Sequence, residues 1–176
     1  LGDFPRQTLE RVTALPASAP DGYELIYVAD GSNDIEWHLK YNNGTSKWRF
    51  IGGLPLRAEV ATNESTSSTS YADLATVGPS ITVPLTGDYR VFFGFLSHNS
   101  VAGQLSLGTL KIGGADQGDS AAARHRANAA TTTEDAAWRD ETYNISGGNA
   151  VVMWYKASGN TSNFYNRVLT IWPVRF

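Results

Sequence analysis

Short apolar runs separated by turn residues fill this chain from Tyr23 onward, and no helix-period stripe interrupts them. The runs are "YELIYVA" (23–29), "IEWHLKYN" (35–42), "SITVPL" (80–85), "DYRVFFGFL" (88–96), "LSLGTLKI" (105–112), "AVVMWYK" (150–156) and "YNRVLTIWPVRF" (165–176). Gly, Asn and Asp stand between most of them. Strands of this length and spacing predict an all-β chain, built as an antiparallel sandwich or jelly roll. The exception is "SAAARHRANAATTTEDAAWRDE", residues 120–141, whose Ala content permits a helical turn. Its β-branched threonines and missing stripe favour strand or loop.

Composition narrows what such a chain can do. Charged residues are only 18% of the 176, so most polar surface is Ser, Thr, Asn and Gly. A net charge of −3 argues against a phosphate-driven nucleic-acid binder, which needs clustered Lys and Arg. No apolar run approaches the roughly 20 residues that span a bilayer, so membrane insertion is not expected. The absence of Cys excludes disulfides, Cys-ligated zinc and thiol catalysis. The chain begins at Leu1 without a signal-peptide pattern, which is expected of a processed product or a fragment.

Residues 1–20 carry three prolines and little periodicity and read as an extended connector. In 35–42, Ile35, Trp37, Leu39 and Tyr41 alternate with Glu36, His38, Lys40 and Asn42, the pattern of a half-buried strand. Asn43-Gly44 supplies the residues that tight hairpins prefer. A turn centred there places Leu39 opposite Trp48 and Trp37 opposite Phe50. His38 then faces Arg49, and Lys40 faces Lys47, on the other side. Trp37, Leu39, Trp48 and Phe50 are thus expected to form one buried cluster. Pairing "YELIYVA" across Asp30–Asp34 sets Ile26 and Val28 beside Leu39 and Trp37, with Tyr23, Leu25 and Tyr27 on the opposite face. The domain reading is a connector (1–20), a three-stranded meander (21–56) and a sandwich (57–176).

Several later strands are apolar on both sides. Tyr89, Val91, Phe93 and Phe95 share one face while Phe92 and Leu96 occupy the other. Leu169 and Ile171 oppose Val168 and Trp172 in the same way. One face of an antiparallel sandwich should meet water, so a second apolar face predicts packing against another copy of the chain.

Catalytic patterns are missing. His38, His98 and His125 form no metal-ligand spacing, and there is no G-x-S-x-G elbow or P-loop. Glu134/Asp135 and Asp140/Glu141 are adjacent, which in a strand turns the carboxylates to opposite faces. Asp30, Ser32 and Asp34, and Asp116 with Asp119, resemble calcium loops but lack the bidentate Glu. No enzyme activity, metal or cofactor is expected.

The residues also carry a resemblance. "APDGYELIYVAD…IEWHLKYN…SKWRFIGGLPLRAEV" (19–60) holds Asp21, Gly22 and Glu24, then Trp37, His38, Leu39, Lys40 and Tyr41. Lys47, Trp48, Phe50, Gly52, Gly53, Pro55 and Leu56 follow. This resembles a segment recurrent in tail-fibre and minor tail proteins of bacteriophages of actinobacteria. "STSYADLATVGPSITVPLTGDYRV", ending at Val91, and "NRVLTIWPVRF" (166–176) look like the C-terminal domain usually fused to it. The resemblance implies a non-enzymatic virion protein exposed on the tail or capsid. It implies a homotrimer with a jelly-roll-like domain, other virion proteins on the N-terminal side, and attachment to a host-cell glycan or surface protein. No catalytic residue carries over with it.

Two other functions fit the same residues: an architectural virion part without a receptor, such as a head fibre or decoration, and a cellular carbohydrate-binding β-sandwich. The stretch 97–141 lies outside the matching motifs and gathers groups able to contact a ligand. The candidate binding residues are His98, Asn99, Arg124, His125, Arg126, Trp138 and Arg139. Trp138 offers a ring face, and the arginines offer planar hydrogen-bond forks.

Overall fold

Alternation makes strands of nearly every apolar run. The computed structural model describes residues 9–29, 35–127 and 134–176, and among these the only helical element is a 3-10 turn at Asp119–Ala121. The chain divides into two units, residues 1–54 with 173–176, and residues 55–172.

The first unit contains β1 (Glu10–Val12), β2 (Glu24–Ala29), β3 (Ile35–Asn42) and β4 (Lys47–Gly53). The last three form the expected antiparallel meander. The connector is partly ordered, because β1 pairs in parallel with β2. The Trp48 indole N–H donates to the Pro16 carbonyl at 2.9 Å.

The register differs from the expected one at both turns. Leu25 lies opposite Leu39 and Tyr27 opposite Trp37, a shift of one residue. A shift of one exchanges faces. Leu25 and Tyr27 therefore join the buried side, and Ile26 and Val28 move to the half-exposed side. At the second turn, Asn42 and Lys47 close the ladder, so Asn43-Gly44 occupies part of a longer loop. The Asn42 carboxamide oxygen accepts from the Thr45 N–H at 3.0 Å, and Ser46 takes the left-handed conformation at φ 50°. Leu39 then faces Phe50, Tyr41 faces Trp48, and Lys40 faces Arg49. An irregularity between His38 and Leu39 sets Trp37 opposite Gly53. A Cβ on Gly53, at φ 122°, would lie 2.4 Å from the Glu36 carbonyl oxygen. Faces survive this two-residue shift even though partners change.

Trp37 and Leu39 are fully buried and Trp48 nearly so, whereas Phe50 is half-buried. Trp37 meets Phe50 edge-on at 6.3 Å and stacks on Phe176 at 5.7 Å. Trp48 packs against Tyr41 instead, at 5.2 Å. Full burial of one such side chain contributes roughly 1.5–3 kcal/mol.

The second unit holds β5 (Leu56–Val60), β6 (Glu64–Thr66), β7 (Ser80–Thr82), β8 (Gly87–Asn99) and β9 (Leu105–Ile112). It continues through β10 (Ala115–Asp116), β11 (Ala123–Arg126), β12 (Asp135–Ile145), β13 (Ala150–Ala157) and β14 (Ser162–Arg175), whose end belongs to the first unit. The described residues within 120–141 are thus mainly strand, in β11 and β12. One sheet runs β14-β8-β12, with β5 and β6 paired to β14. The other runs β10-β9-β13-β7, with β11 paired to β9. Two layers of this kind make a jelly-roll-like β-sandwich.

Aromatic rings fill the space between the layers. Phe164 meets Phe95 at 5.1 Å and Tyr155 at 4.9 Å. A Cβ on Gly108 would lie 2.5 Å from the Phe95 ring, so glycine there makes room for it. Arg167 is fully buried, with its guanidinium 2.7 Å from Glu64 and near the carbonyls of Thr76 and Gly78. Burial raises the Glu64 pKa, but bonds from Thr76 and the Arg167 charge outweigh it and hold the carboxyl below its usual value.

Candidate functional site

The sandwich turns two different outer faces to solvent, and the named residues divide between these faces and the interior. Asn99 is 1% exposed. Its amide donates to the Gly159 carbonyl at 3.1 Å and to Ser162 Oγ at 2.8 Å, while its oxygen accepts from the Val101 N–H. It ties loops at one end of the sandwich. His125 is also buried, with Nδ1 2.9 Å from Ser97 Oγ. Burial pushes its pKa down, so it is neutral at pH 7. Both are structural groups.

On the β14-β8-β12 sheet, Trp138 lies opposite Gly94 on the outer side and is 67% exposed. A Cβ on Gly94 would come within 2.7 Å of the Ala137 carbonyl oxygen and 3.1 Å of Trp138 Cβ. Phe92 and Leu96 share this face with Val168 and Trp172, all of them half-buried or exposed. His98 also faces outward, 6.3 Å from the Tyr165 ring. The residue between Tyr165 and Arg167 is Asn166, at φ 46°, and it lets Phe164 and Arg167 both point inward. His98 Nδ1 and Tyr165 Oη are buried without a hydrogen bond of ordinary geometry, the latter near the Glu134 carboxylate. Arg139 falls on the opposite side of β12 and pairs with Glu141 at 2.7 Å.

The other sheet carries a groove of about 280 Å³. β11 alternates, so Arg124 and Arg126 point outward and His125 inward. In register, Arg124 lies beside Leu107, and Leu107 beside Lys156. Half-buried Leu105 and the edge of Leu107, which is 3% exposed, give a small apolar floor with a cation on either side. Asp119 closes one wall, 2.7 Å from Lys156 Nζ, and its backbone carbonyl accepts from Arg124. Lys156, then Tyr71, hold the Asp119 carboxyl below the usual carboxylate range. The Lys156 ammonium sits 4.5 Å above the Tyr71 ring. Arg126 bonds the Gly103 carbonyl at 3.3 Å.

Of the seven named residues, only Arg124 lines this groove. Sequence reasoning missed Lys156 and both leucines. Their one signal was parity: Leu105 and Leu107 share a face of β9, and Lys156 falls on the outward side of β13. Asp119 was read as part of a calcium-like loop, but it is ion-paired. The other loop, 30–34, lies outside the described residues. No group of three metal-ligating side chains occurs among the described residues, and no helix there is long and apolar enough to cross a membrane.

No protein-family model and no curated protein matches this sequence. Solved structures do. The chain is similar to the Eiger TNF from S. frugiperda, with a TM-score of 0.50, 11% identity, and coverage of 69% of this chain and 93% of that one. It is similar to a chain of infectious bursal disease virus, Gx strain, with a TM-score of 0.49, 11% identity, and coverage of 70% and 34%. A family 35 carbohydrate binding module from Clostridium thermocellum gives a TM-score of 0.40 and 16% identity over 68% of this chain and 98% of the module. At such identities a likeness shows the fold alone, and the fold is a jelly-roll-like β-sandwich.

Proposed function

We propose that this chain is a non-enzymatic protein of a bacteriophage particle, a fibre or tail-tip component that is exposed on the virion, forms a homotrimer and attaches to the host-cell surface. The observation that carries this reading is the join, within one chain, of the tail-protein-like meander motifs and a β-sandwich. The motif residues are scaffold: Trp37, Leu39, Tyr41 and Trp48 are buried, and Asp21 accepts from the Asn43 N–H. A motif made of scaffold marks a shared module rather than a shared reaction.

The outer face of the β14-β8-β12 sheet supports self-assembly. Trp138, Trp172, Phe92, Leu96 and Val168 lie exposed or half-buried there, and His98 Nδ1 beside them is buried without a hydrogen-bond partner. Apolar surface of this kind on a soluble chain marks an interface.

Fluorescently labelled chain should bind saturably to a subset of actinobacterial strains and not to unrelated bacteria. Binding to none of a broad panel overturns the attachment reading and leaves the architectural one. Light scattering should give three times the 19.1 kDa chain mass. A stable monomer at micromolar concentration rules out the trimer.

A further inference from the structure

We infer that the groove on the outer face of β11, β9 and β13 binds one acidic sugar unit, a hexuronate. Its ring lies over Leu105 and Leu107, its carboxylate is held by Arg124 and Lys156, and a hydroxyl donates to Asp119. This deepens, and rests on, the reading of the chain as an attachment protein.

Four features point to that ligand. The floor offers a small apolar patch, half-buried Leu105 with the edge of Leu107, which suits part of the C–H face of one sugar ring. The walls carry two cations and one carboxylate, so the lining is net positive on a chain whose net charge is −3. A positive lining favours an anion. Asp119 is the discriminating group: its side chain is 56% exposed, and its carboxylate would repel a bare anion but can accept from a hydroxyl. The volume, about 280 Å³, falls just below the range of about 300–1,000 Å³ that holds drug-sized molecules. One ring fits that space better than a chain of rings.

Register fixes the spacing of the cations. Arg124 and Lys156 flank Leu107 on neighbouring strands, so their Cα atoms stand about 10 Å apart, two interstrand steps. The Arg124 fork can grip a carboxylate in two-point fashion, and Lys156 adds a point charge. The Tyr71 ring is not a stacking platform here, because the Lys156 ammonium covers it. A single groove without stacking binds weakly, and several copies on one particle would compensate through avidity.

The test titrates the whole chain with sodium D-glucuronate, D-glucose and inorganic phosphate, followed by NMR shifts of backbone amides. Glucuronate should bind tightest and move amides of β9, β11 and β13. Arg124→Ala should weaken it about tenfold, the effect of losing a charge-assisted bond, while Arg139→Ala on the other sheet leaves it unchanged. Asp119→Asn decides the role of the carboxylate. Weaker glucuronate binding supports the sugar reading, and tighter binding identifies a plain anion site and overturns it. Equal affinity for glucose or phosphate, or no binding by any probe, also overturns it. Cell adsorption is scored separately. Adsorption kept by Arg124→Ala removes the groove as the attachment point and leaves the attachment reading standing. Adsorption by no form of the chain overturns that reading, whatever the titration gives.

Discussion

The sandwich wears two unlike outer faces over one interior. The β14-β8-β12 face gathers Phe92, Leu96, Val168 and Trp172 with Trp138, and its Arg90–Asp140 bridge lies beside Phe92. The opposite face is a narrow groove whose Arg124, Lys156 and Asp119 ring a leucine floor. Flat apolar area rewards another protein surface, where contact is wide and directionless. A groove with cations and a carboxylate rewards a small polar molecule, where a few bonds are aimed. Under the proposed function, the same two-layer fold would keep assembly and recognition on separate sides, with the strands between them as a partition.

The largest expected effect reaches both faces at once. Removing Glu64 would leave the buried Arg167 charge without its partner, which typically costs about 3–5 kcal/mol. Glu64→Ala should lower the denaturant midpoint strongly and weaken assembly and glucuronate binding together. An unchanged midpoint would show that Arg167 finds another partner. Next in size is assembly itself. Trp138→Asp with Trp172→Asp should convert the proposed trimer to monomer by light scattering and leave glucuronate affinity intact. If affinity falls with assembly, the faces are coupled and the partition fails. The tenfold loss expected for Arg124→Ala comes third, with the trimer preserved.

The smallest effect is a titration. The Asp119 carboxyl is held below the usual carboxylate range, first by Lys156 and then by Tyr71. A depressed pKa contributes stability that is present above the unfolded value, about 3.9, and is lost as pH falls through the folded value. The groove side should therefore loosen below about pH 4, read as faster amide exchange in β11 and β13, and Asp119→Asn should flatten that dependence. An equal response in Asp119→Asn would assign the change to other carboxylates.

Strand positions were legible because alternation is local: β7, β8, β9, β13 and β14 fall where the apolar runs predict. Partnering was less so. The Asn42 side chain caught the backbone of Thr45 and widened a loop that Asn43-Gly44 alone predicts to be tight. One residue of difference across 30–34 was enough to exchange Ile26 and Val28 for Leu25 and Tyr27 in the buried layer. The groove was least legible, since Arg124, Leu107 and Lys156 meet only through strand pairing across long stretches of chain. "ARHR" did carry the parity that sends the arginines out and His125 in, but parity cannot say which side is water. The interior roles of Asn99 and His125 follow from that ambiguity.

Arg167 has a consequence for the order of folding. Its guanidinium draws on Thr62, Glu64, Thr76 and Gly78, between 89 and 105 positions away in the chain. Contacts so distant close late, after the entropy of a long loop has been overcome. Until β14 meets the segment at 62–78, the guanidinium must stay hydrated, and its water has to leave before the sheets can seal. The charge inside the sandwich should thus gate a late step of folding: until residue 167 reaches the segment at 62–78, the guanidinium has nowhere to be buried.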